Sequence, residues 1–225
     1  MDTSRWSRLN SLVRLLETRQ LFYKKYAYKI VYSINGAYLL SNCASEETLV
    51  DKASRSRPRK PIDLKTLKDF FRVLTEKKQY IRTRCEGNSV SIFSQDLDLL
   101  YEIAGKELKQ YTCQLSTVSL VRSPDDFEVL NQNKIISRTS QTHPWKISLR
   151  QGWARDNDNK VALAQYLKAL GDEVRVTDFL LDTLSKNNKY ISGHYFYVRH
   201  PGTADFILMM SPRLIASITE IVVVP

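Results

Sequence analysis

The run Tyr190-Ile-Ser-Gly-His-Tyr-Phe-Tyr-Val-Arg-His200 is the most aromatic stretch of the chain, and it governs how the second half is expected to fold. Its β-branched and aromatic side chains favour a strand, which the Pro-Gly pair that follows would end. Successive side chains of a strand point to opposite faces, so Phe196 and Val198 share one face. We expect this apolar pair to pack against helices. Tyr195 and Tyr197 would then face outward.

Strand and helix patterns alternate on both sides of this run. We predict further strands at 145–150, 173–176 and 221–224, and helices at 159–170, 179–186, 203–210 and 211–220. The last of these helices is predicted from Ser211-Pro212, because Ser is a good N-cap and Pro suits the first helical position. The second half therefore combines a sheet with several helices.

The first half shows a similar order of patterns. Strands are predicted at 28–34, 80–85, 89–94 and 111–121, and helices at 63–78 and 96–105. The two middle strands would form a hairpin around a turn that contains Gly87. This strand-helix-strand-strand-helix-strand order is the ferredoxin-like arrangement, an antiparallel sheet with two helices on one face.

The patterns together predict an α+β protein of two ferredoxin-like (βαββαβ) units in tandem. Each antiparallel sheet would carry helices on one face, and an amphipathic helix would precede the first unit. The expected division is a basic amphipathic helix over 1–25, a first unit over 26–122, a linker with a short helix over 123–144 and a second unit over 145–225. A faint similarity between the two halves makes an internal duplication a hypothesis.

The N-terminal segment has an apolar pattern of helical period. Over residues 4–23 the apolar side chains recur at steps of three and four, and arginines occupy much of the remainder. The apolar stripe includes Trp6, Leu9, Val13 and Leu16. It either packs on the domain that follows or provides a surface for a protein partner or for self-association.

The charge of the chain indicates a polyanionic partner. The net charge is +10, and Lys and Arg side chains that neutralise phosphates drive sequence-independent binding of nucleic acids. Residues 1–60 hold 12 Lys/Arg against 5 Asp/Glu. Within them, 52–61 has five cations, two prolines and no acid, so it should form an exposed loop. That loop is a candidate for phosphate contact or a solvated linker.

Aromatic side chains and cations on the middle strands of a sheet are the means by which RNA-recognition domains stack bases and hold the backbone. We therefore predict binding of RNA or single-stranded DNA through the basic N-terminal third and outward sheet aromatics. The candidate nucleic-acid-binding residues are Lys29, Tyr32, Arg55, Arg57, Arg59, Lys60, Arg82, Arg84, Tyr195, Tyr197 and Arg199. A sheet face that packs against helices has the same aromatic pattern, so the exposure of the tyrosines stays open at this point.

Metal, cofactor and hydrolytic sites are not predicted. The three histidines have no cysteine or carboxylate at a spacing that would complete a ligand set, and the seven glycines form neither a P-loop nor a dinucleotide-binding motif. The widely spaced Cys43, Cys85 and Cys113 favour free thiols in a reducing, intracellular compartment. We expect neither a secretory signal nor a membrane span.

Two other functions fit the sequence. The first is a structural or assembly subunit of a virus particle or ribonucleoprotein, which would dock through its N-terminal helix and a sheet face. The second is an endoribonuclease of paired ferredoxin-like domains, in which His194 or His200 would act with a nearby tyrosine or lysine as acid and base. This enzyme class would need a glycine-rich loop near the C-terminus, which is missing, so binding without catalysis is the expectation.

Overall fold

A computed structural model describes residues 4–56, 61–153, 159–186 and 190–225. The chain divides into two compact units, Met1–Asn131 and Gln132–Pro225, each of which is described by itself. The protein is of the α+β class. Each unit contains a five-stranded mixed sheet and several helices.

The first unit contains five strands and five α-helices. In chain order these are α1 Ser4–Leu9, β1 Arg14–Glu17, β2 Tyr28–Ser33, α2 Glu46–Arg55, α3 Leu64–Glu76, β3 Arg82–Glu86, β4 Ser89–Ser94, α4 Leu97–Glu102, β5 Leu115–Leu120 and α5 Pro124–Asn131, with 3-10 turns at Ala37–Leu40 and Lys109–Gln114 and a π turn at Ile103–Glu107. The sheet order is β1-β5-β2-β4-β3. All neighbours are antiparallel except β1 and β5, which are parallel.

Helix α3 illustrates why the helices of this unit form where they do. The Asp63 carboxylate caps it by accepting the backbone N–H groups of Lys65 and Thr66 at 3.0 and 3.2 Å. Its buried face includes Phe70, whose ring meets the Tyr32 ring edge to face at a centroid distance of 5.0 Å. The helices therefore cover the sheet face to which Tyr32 belongs, and the core lies between them.

The second unit repeats this architecture with shorter elements. In chain order these are β6 Ile135–Ser137, β7 Trp145–Leu149, β8 Gly152–Trp153, α6 Lys160–Ala169, β9 Val174–Arg175, α7 Asp178–Ser185, β10 Tyr190–Ile191, β11 Tyr195–Val198, α8 Pro201–Met210 and β12 Ile215–Val223, with a 3-10 turn at Gly171–Glu173. The large sheet has the order β6-β12-β7-β11-β9, and β8 pairs with β10 separately. Only β6 and β12 are parallel neighbours in the large sheet.

The N-terminal segment is not one helix through residue 23. The helix ends at Leu9 because the Asn10 side chain accepts the Leu12 backbone N–H and donates to the Leu115 carbonyl, both at 2.9 Å. Arg14–Glu17 then pairs with β5 as an edge strand. The parallel pairing at this edge also corrects the prediction of a purely antiparallel sheet, and the β6–β12 pair does the same in the second unit.

The predicted helix at 211–220 is also wrong, because this region is a strand. Ser211 accepts the Leu214 backbone N–H at 3.0 Å, which makes a turn rather than a helix start. The nine residues Ile215–Val223 that follow are rich in β-branched side chains, which fit a pleated surface better than a helix. Pairing with β7 on one side and β6 on the other fixes the strand.

We expect Tyr32→Phe to raise the free energy of unfolding by about 1 kcal/mol, since a buried polar group without a partner costs about 1–3 kcal/mol. The Tyr32 side chain is fully buried, and its hydroxyl has no hydrogen-bond partner among the residues that the structure describes. A urea titration of both proteins measures the difference. A less stable variant would show that the hydroxyl does have a partner.

The same substitution should change the stability at alkaline pH. Burial raises the pKa of Tyr32 well above its ordinary value of 10.0. Above that ordinary value the tyrosine ionises in the unfolded chain and stays neutral in the folded one, so it removes stability as the pH rises. The advantage of Tyr32→Phe should therefore widen above pH 10.0 and stay constant below it.

Candidate nucleic-acid interface

The sheet of the second unit has one face packed against helices and one open face. Phe196 and Val198 of β11 and Ile147 of β7 are fully buried in the core on the helix side. Tyr195 is 47% exposed, and Tyr197 is partly exposed. The alternation predicted for this strand is confirmed, whereas a role of the tyrosines in binding stays a prediction.

Strand pairing gathers a cluster of polar and aromatic side chains around these tyrosines. On the open face, Tyr197 lies opposite Lys146 on one side and Arg175 on the other. Side chains opposite each other on neighbouring strands lie about 4.5–5.5 Å apart at their Cβ atoms, so they form one continuous surface. The open face consists of Lys146, Ser148, Arg175, Tyr195, Tyr197, Ser217 and Thr219.

The rings and cations of this cluster are in contact with one another. The Tyr195 and Tyr197 rings meet at a centroid distance of 5.5 Å and an angle of 74°. The Lys146 Nζ atom lies 4.3 Å from the centre of the Tyr195 ring, within the range of a cation–π interaction. Lys146 thus packs against an aromatic ring that still has nearly half of its surface exposed to solvent.

The electrostatics of the open face favour an anionic ligand. Its seven residues comprise two cations, three hydroxyl-bearing aliphatic side chains and two tyrosines, without a carboxylate. Partial burial, and then Tyr195 beside it, raises the pKa of Tyr197 above its ordinary value of 10.0. Tyr197 therefore stays a neutral phenol at physiological pH. It can stack through its ring and donate a hydrogen bond through its hydroxyl.

The open face of the first unit carries more cations and fewer accessible rings. Lys29 and Arg82 share one cross-strand row, because both lie opposite Phe93. The next row runs through Arg84, Ser91, Val31, Thr117 and Arg14. The three arginines are exposed, and partial burial lowers the pKa of Lys29 below its ordinary value of 10.5.

Two aromatic residues of the segment between β1 and β2 cover the first unit's central aromatic side chain. Phe22 and Tyr23 pack on Phe93 at centroid distances of 5.3 and 5.1 Å, which leaves Phe93 only 4% exposed. The Arg82 guanidinium lies 3.8 Å from the centre of the Tyr23 ring, and Lys29 Nζ lies 4.9 Å from that of Phe22. This face presents cations to a ligand, while Phe93 itself is unavailable for stacking.

The structure separates the other predicted residues from these faces. Tyr32 is buried among the helices, since it shares the inward side of β2 with Ile30, and this corrects its assignment to the interface. Arg55 lies on α2 and pairs with Asp51 at 2.8 Å. Arg199 pairs with Glu173 at 3.0 Å at the edge of the second sheet. The candidates Arg57, Arg59 and Lys60 lie outside the described residues.

The apolar stripe proposed for a protein partner is mostly covered by the first unit itself. Trp6 is fully buried and meets the Tyr101 ring edge to face at 5.3 Å. Leu9 and Val13 pack against the same core, and only Leu16, at 39%, is substantially exposed. Trp6 therefore acts as a core residue, which corrects its assignment to a docking surface.

The histidines of the second unit lie apart from the open face. His200 Nε2 is 3.2 Å from the Glu173 carboxylate, and the His194 ring packs beside Phe179 at 5.4 Å. Within the described ranges, no three His, Cys, Asp or Glu side chains come together as a metal site would need. Among those same residues, no helix is both long and apolar enough to cross a membrane.

Two cations of the open faces were missed by the sequence reasoning. Arg175 was predicted to lie in a strand, and its alternation with Val174 could have placed it opposite the core. Arg14 was assigned to a helix, so its position on a sheet face could not be foreseen. Comparison of the chain with protein-family models, curated proteins and solved structures found no match.

Proposed function

We propose that the protein binds single-stranded nucleic acid, RNA or DNA, and that the open face of the second sheet holds unpaired bases. The observation that carries this proposal is the exposed Tyr195–Tyr197 pair between Lys146 and Arg175 on the middle of a sheet. Exposed rings on a sheet stack on bases of any sequence, and cations beside them neutralise phosphates. The four cations on the open face of the first unit would add phosphate contacts.

We further propose that each unit is a ferredoxin-like unit extended by one edge strand. In the first unit β2, β3, β4 and β5 are the four strands of the βαββαβ order, and their order in the sheet is fourth, first, third, second. In the second unit β7, β9, β11 and β12 have that same order. In both, the added strand is parallel to the fourth. This shared order also supports an internal duplication.

The proposed binding divides into a stacking part and a charge part. Tyr195 and Tyr197 lie on β11, the third strand of its unit, where a base could rest on either ring. Lys146 and Arg175 lie on either side of this strand, where they can reach the phosphates of the same nucleotides. Because neither part recognises the edges of particular bases, the binding should tolerate many sequences and weaken strongly with salt.

A fluorescence anisotropy titration with a labelled oligouridine and its DNA counterpart tests the proposal. We expect binding at low salt that weakens as salt is added, and a clear preference for single strands over a duplex. Affinity that ignores salt, or no affinity at low salt, would contradict it. Catalysis is not part of the proposal, and incubation with structured RNA followed by gel analysis checks for cleavage.

Removal of the two open-face cations should lower the salt dependence of binding. For single strands the logarithm of the affinity changes with the logarithm of salt by about 0.7 per phosphate neutralised, so Lys146→Gln with Arg175→Gln should reduce the slope by about 1.4. The matched control is Lys168→Gln with Arg213→Gln, which removes the same charge from exposed positions off this face. Equal slopes for the two double variants would show that only net charge matters.

A further inference from the structure

A groove in the first unit lies on the opposite side of the sheet from its cationic face. It has a volume of about 430 Å³ and runs between the start of β2 and the start of α5. Its lining is mainly apolar and includes Tyr28, Val121, Pro124 and Phe127, with Arg122, Ser123 and Glu128 as polar members. Tyr28 shares the inward side of β2 with Ile30, so the groove is separate from the row that contains Lys29 and Arg82.

Two parallel rings form the walls of this groove. The Tyr28 and Phe127 rings are inclined by only 15°, and their centroids are 6.5 Å apart. Carbon atoms in contact lie about 3.5–4.0 Å apart, so two rings at this separation do not cover each other's faces. The distance is close to the roughly 7 Å that would allow a third flat ring to contact both. Both rings are partly exposed, which makes their faces accessible.

The charges around the groove indicate where an anionic group of a ligand would lie. Arg122 is exposed at the rim. On the Tyr28 side, burial and then the carboxylates of Asp96 and Asp98 raise the pKa of its phenol, so an anion is disfavoured there. The Ser123 hydroxyl already accepts the Asp126 backbone N–H at 3.2 Å. A ligand with a flat ring would therefore direct its negative charge toward Arg122.

We propose that this groove is a binding site for the base of a nucleoside monophosphate, held between Tyr28 and Phe127 with its phosphate near Arg122. A purine or pyrimidine is flat, has two faces for stacking and fits within the volume of the groove. The site takes a free mononucleotide, so it does not rest on strand binding by the second unit. Ligands of this size in other proteins also bind in mainly apolar clefts with a few polar groups.

The proposal is tested by ligand-observed NMR of the full chain with AMP, GMP, CMP and UMP, with adenosine and inorganic phosphate as partial ligands. We expect saturable binding with upfield shifts of the base protons, which the ring currents of the two walls would cause. AMP should bind more tightly than adenosine, and phosphate alone should not bind measurably. Absence of saturable binding for all four nucleotides would overturn the proposal.

Variants then assign the binding to this groove. Tyr28→Ala should weaken AMP binding roughly 5- to 150-fold, the range for the loss of one base–aromatic stack. Tyr28→Phe keeps the ring and should bind as the natural protein does, which separates stacking from loss of fold. Arg122→Gln should reduce AMP to the affinity of adenosine. Tyr80→Ala, which removes a 59% exposed ring of the same unit, is the control.

One variant separates this proposal from the proposed function. Tyr195→Ala with Tyr197→Ala should bind AMP unchanged, because both residues belong to the other unit. Loss of AMP binding in this double variant, or unchanged binding in a folded Tyr28→Ala protein, would overturn the assignment to the groove. Either result leaves the oligonucleotide titration to decide on the sheet face independently.

Discussion

Replacement of Tyr195 and Tyr197 together by Ala is expected to weaken the binding of an unpaired oligonucleotide by roughly 30-fold or more. Base–aromatic stacking is worth about 1–3 kcal/mol per base, so two rings contribute about 2–6 kcal/mol if each stacks on one base. The loss should be similar for different sequences, because every base has a face that can stack. Anisotropy titrations of the natural and variant proteins at one salt concentration measure the effect.

The matched control for this experiment is Tyr195→Phe with Tyr197→Phe. It keeps both rings and removes both hydroxyls, so we expect it to bind within a few-fold of the natural protein. The salt slope should be nearly unchanged in both double variants, since neither removes a cation. If the two Ala substitutions leave the affinity unchanged, the open face of the second sheet is not the base-binding surface.

Phe196→Ala is expected to lower the stability of the second unit by about 3–5 kcal/mol, the usual cost of removing a buried phenylalanine ring. Phe196 is fully buried, lies opposite Ile147 on β7 and belongs to the core shared with α6, α7 and α8. The cavity left by the ring adds to the lost burial of apolar surface. Native-state hydrogen exchange of the β7 and β11 amides reports the stability of this unit alone.

The comparison for Phe196→Ala is Tyr195→Ala at the preceding position of the strand. Tyr195 is 47% exposed, so its loss should cost about 1 kcal/mol, typical of a substitution outside the core. The two substitutions should therefore divide cleanly, with one affecting mainly stability and the other mainly binding. Equal losses of stability would show that Tyr195 also belongs to the core and would remove the basis of the proposed platform.

The period-2 alternation of β11 could be predicted from sequence because local chemistry dictates it. An apolar pair that alternates with a tyrosine pair has one favourable orientation when one face must be buried. The same reasoning applied to β2 puts Tyr32 on the inner face with Ile30, and the burial of Tyr32 agrees. Its assignment to the interface was wrong because a tyrosine suits a core as well as a base platform.

The parts of the fold that could not be predicted depend on pairing between distant residues. Arg14 of β1 lies opposite Thr117 of β5, and nothing in the local sequence of either segment indicates that neighbour. The apolar residues around Arg14 also occur at helical spacing, so tertiary pairing overrides the local pattern. The packing of Phe22 and Tyr23 over Phe93 is likewise a long-range contact.

The most direct test of the account is an NMR titration of isotope-labelled protein with a short oligouridine. The account predicts the largest shift changes at the Tyr195 and Tyr197 rings and at the amides of Lys146 and Arg175, with smaller changes around the cations of the first unit's open face. Saturable binding that leaves the two tyrosine rings unperturbed would contradict the claim that the open face of the second sheet holds unpaired bases.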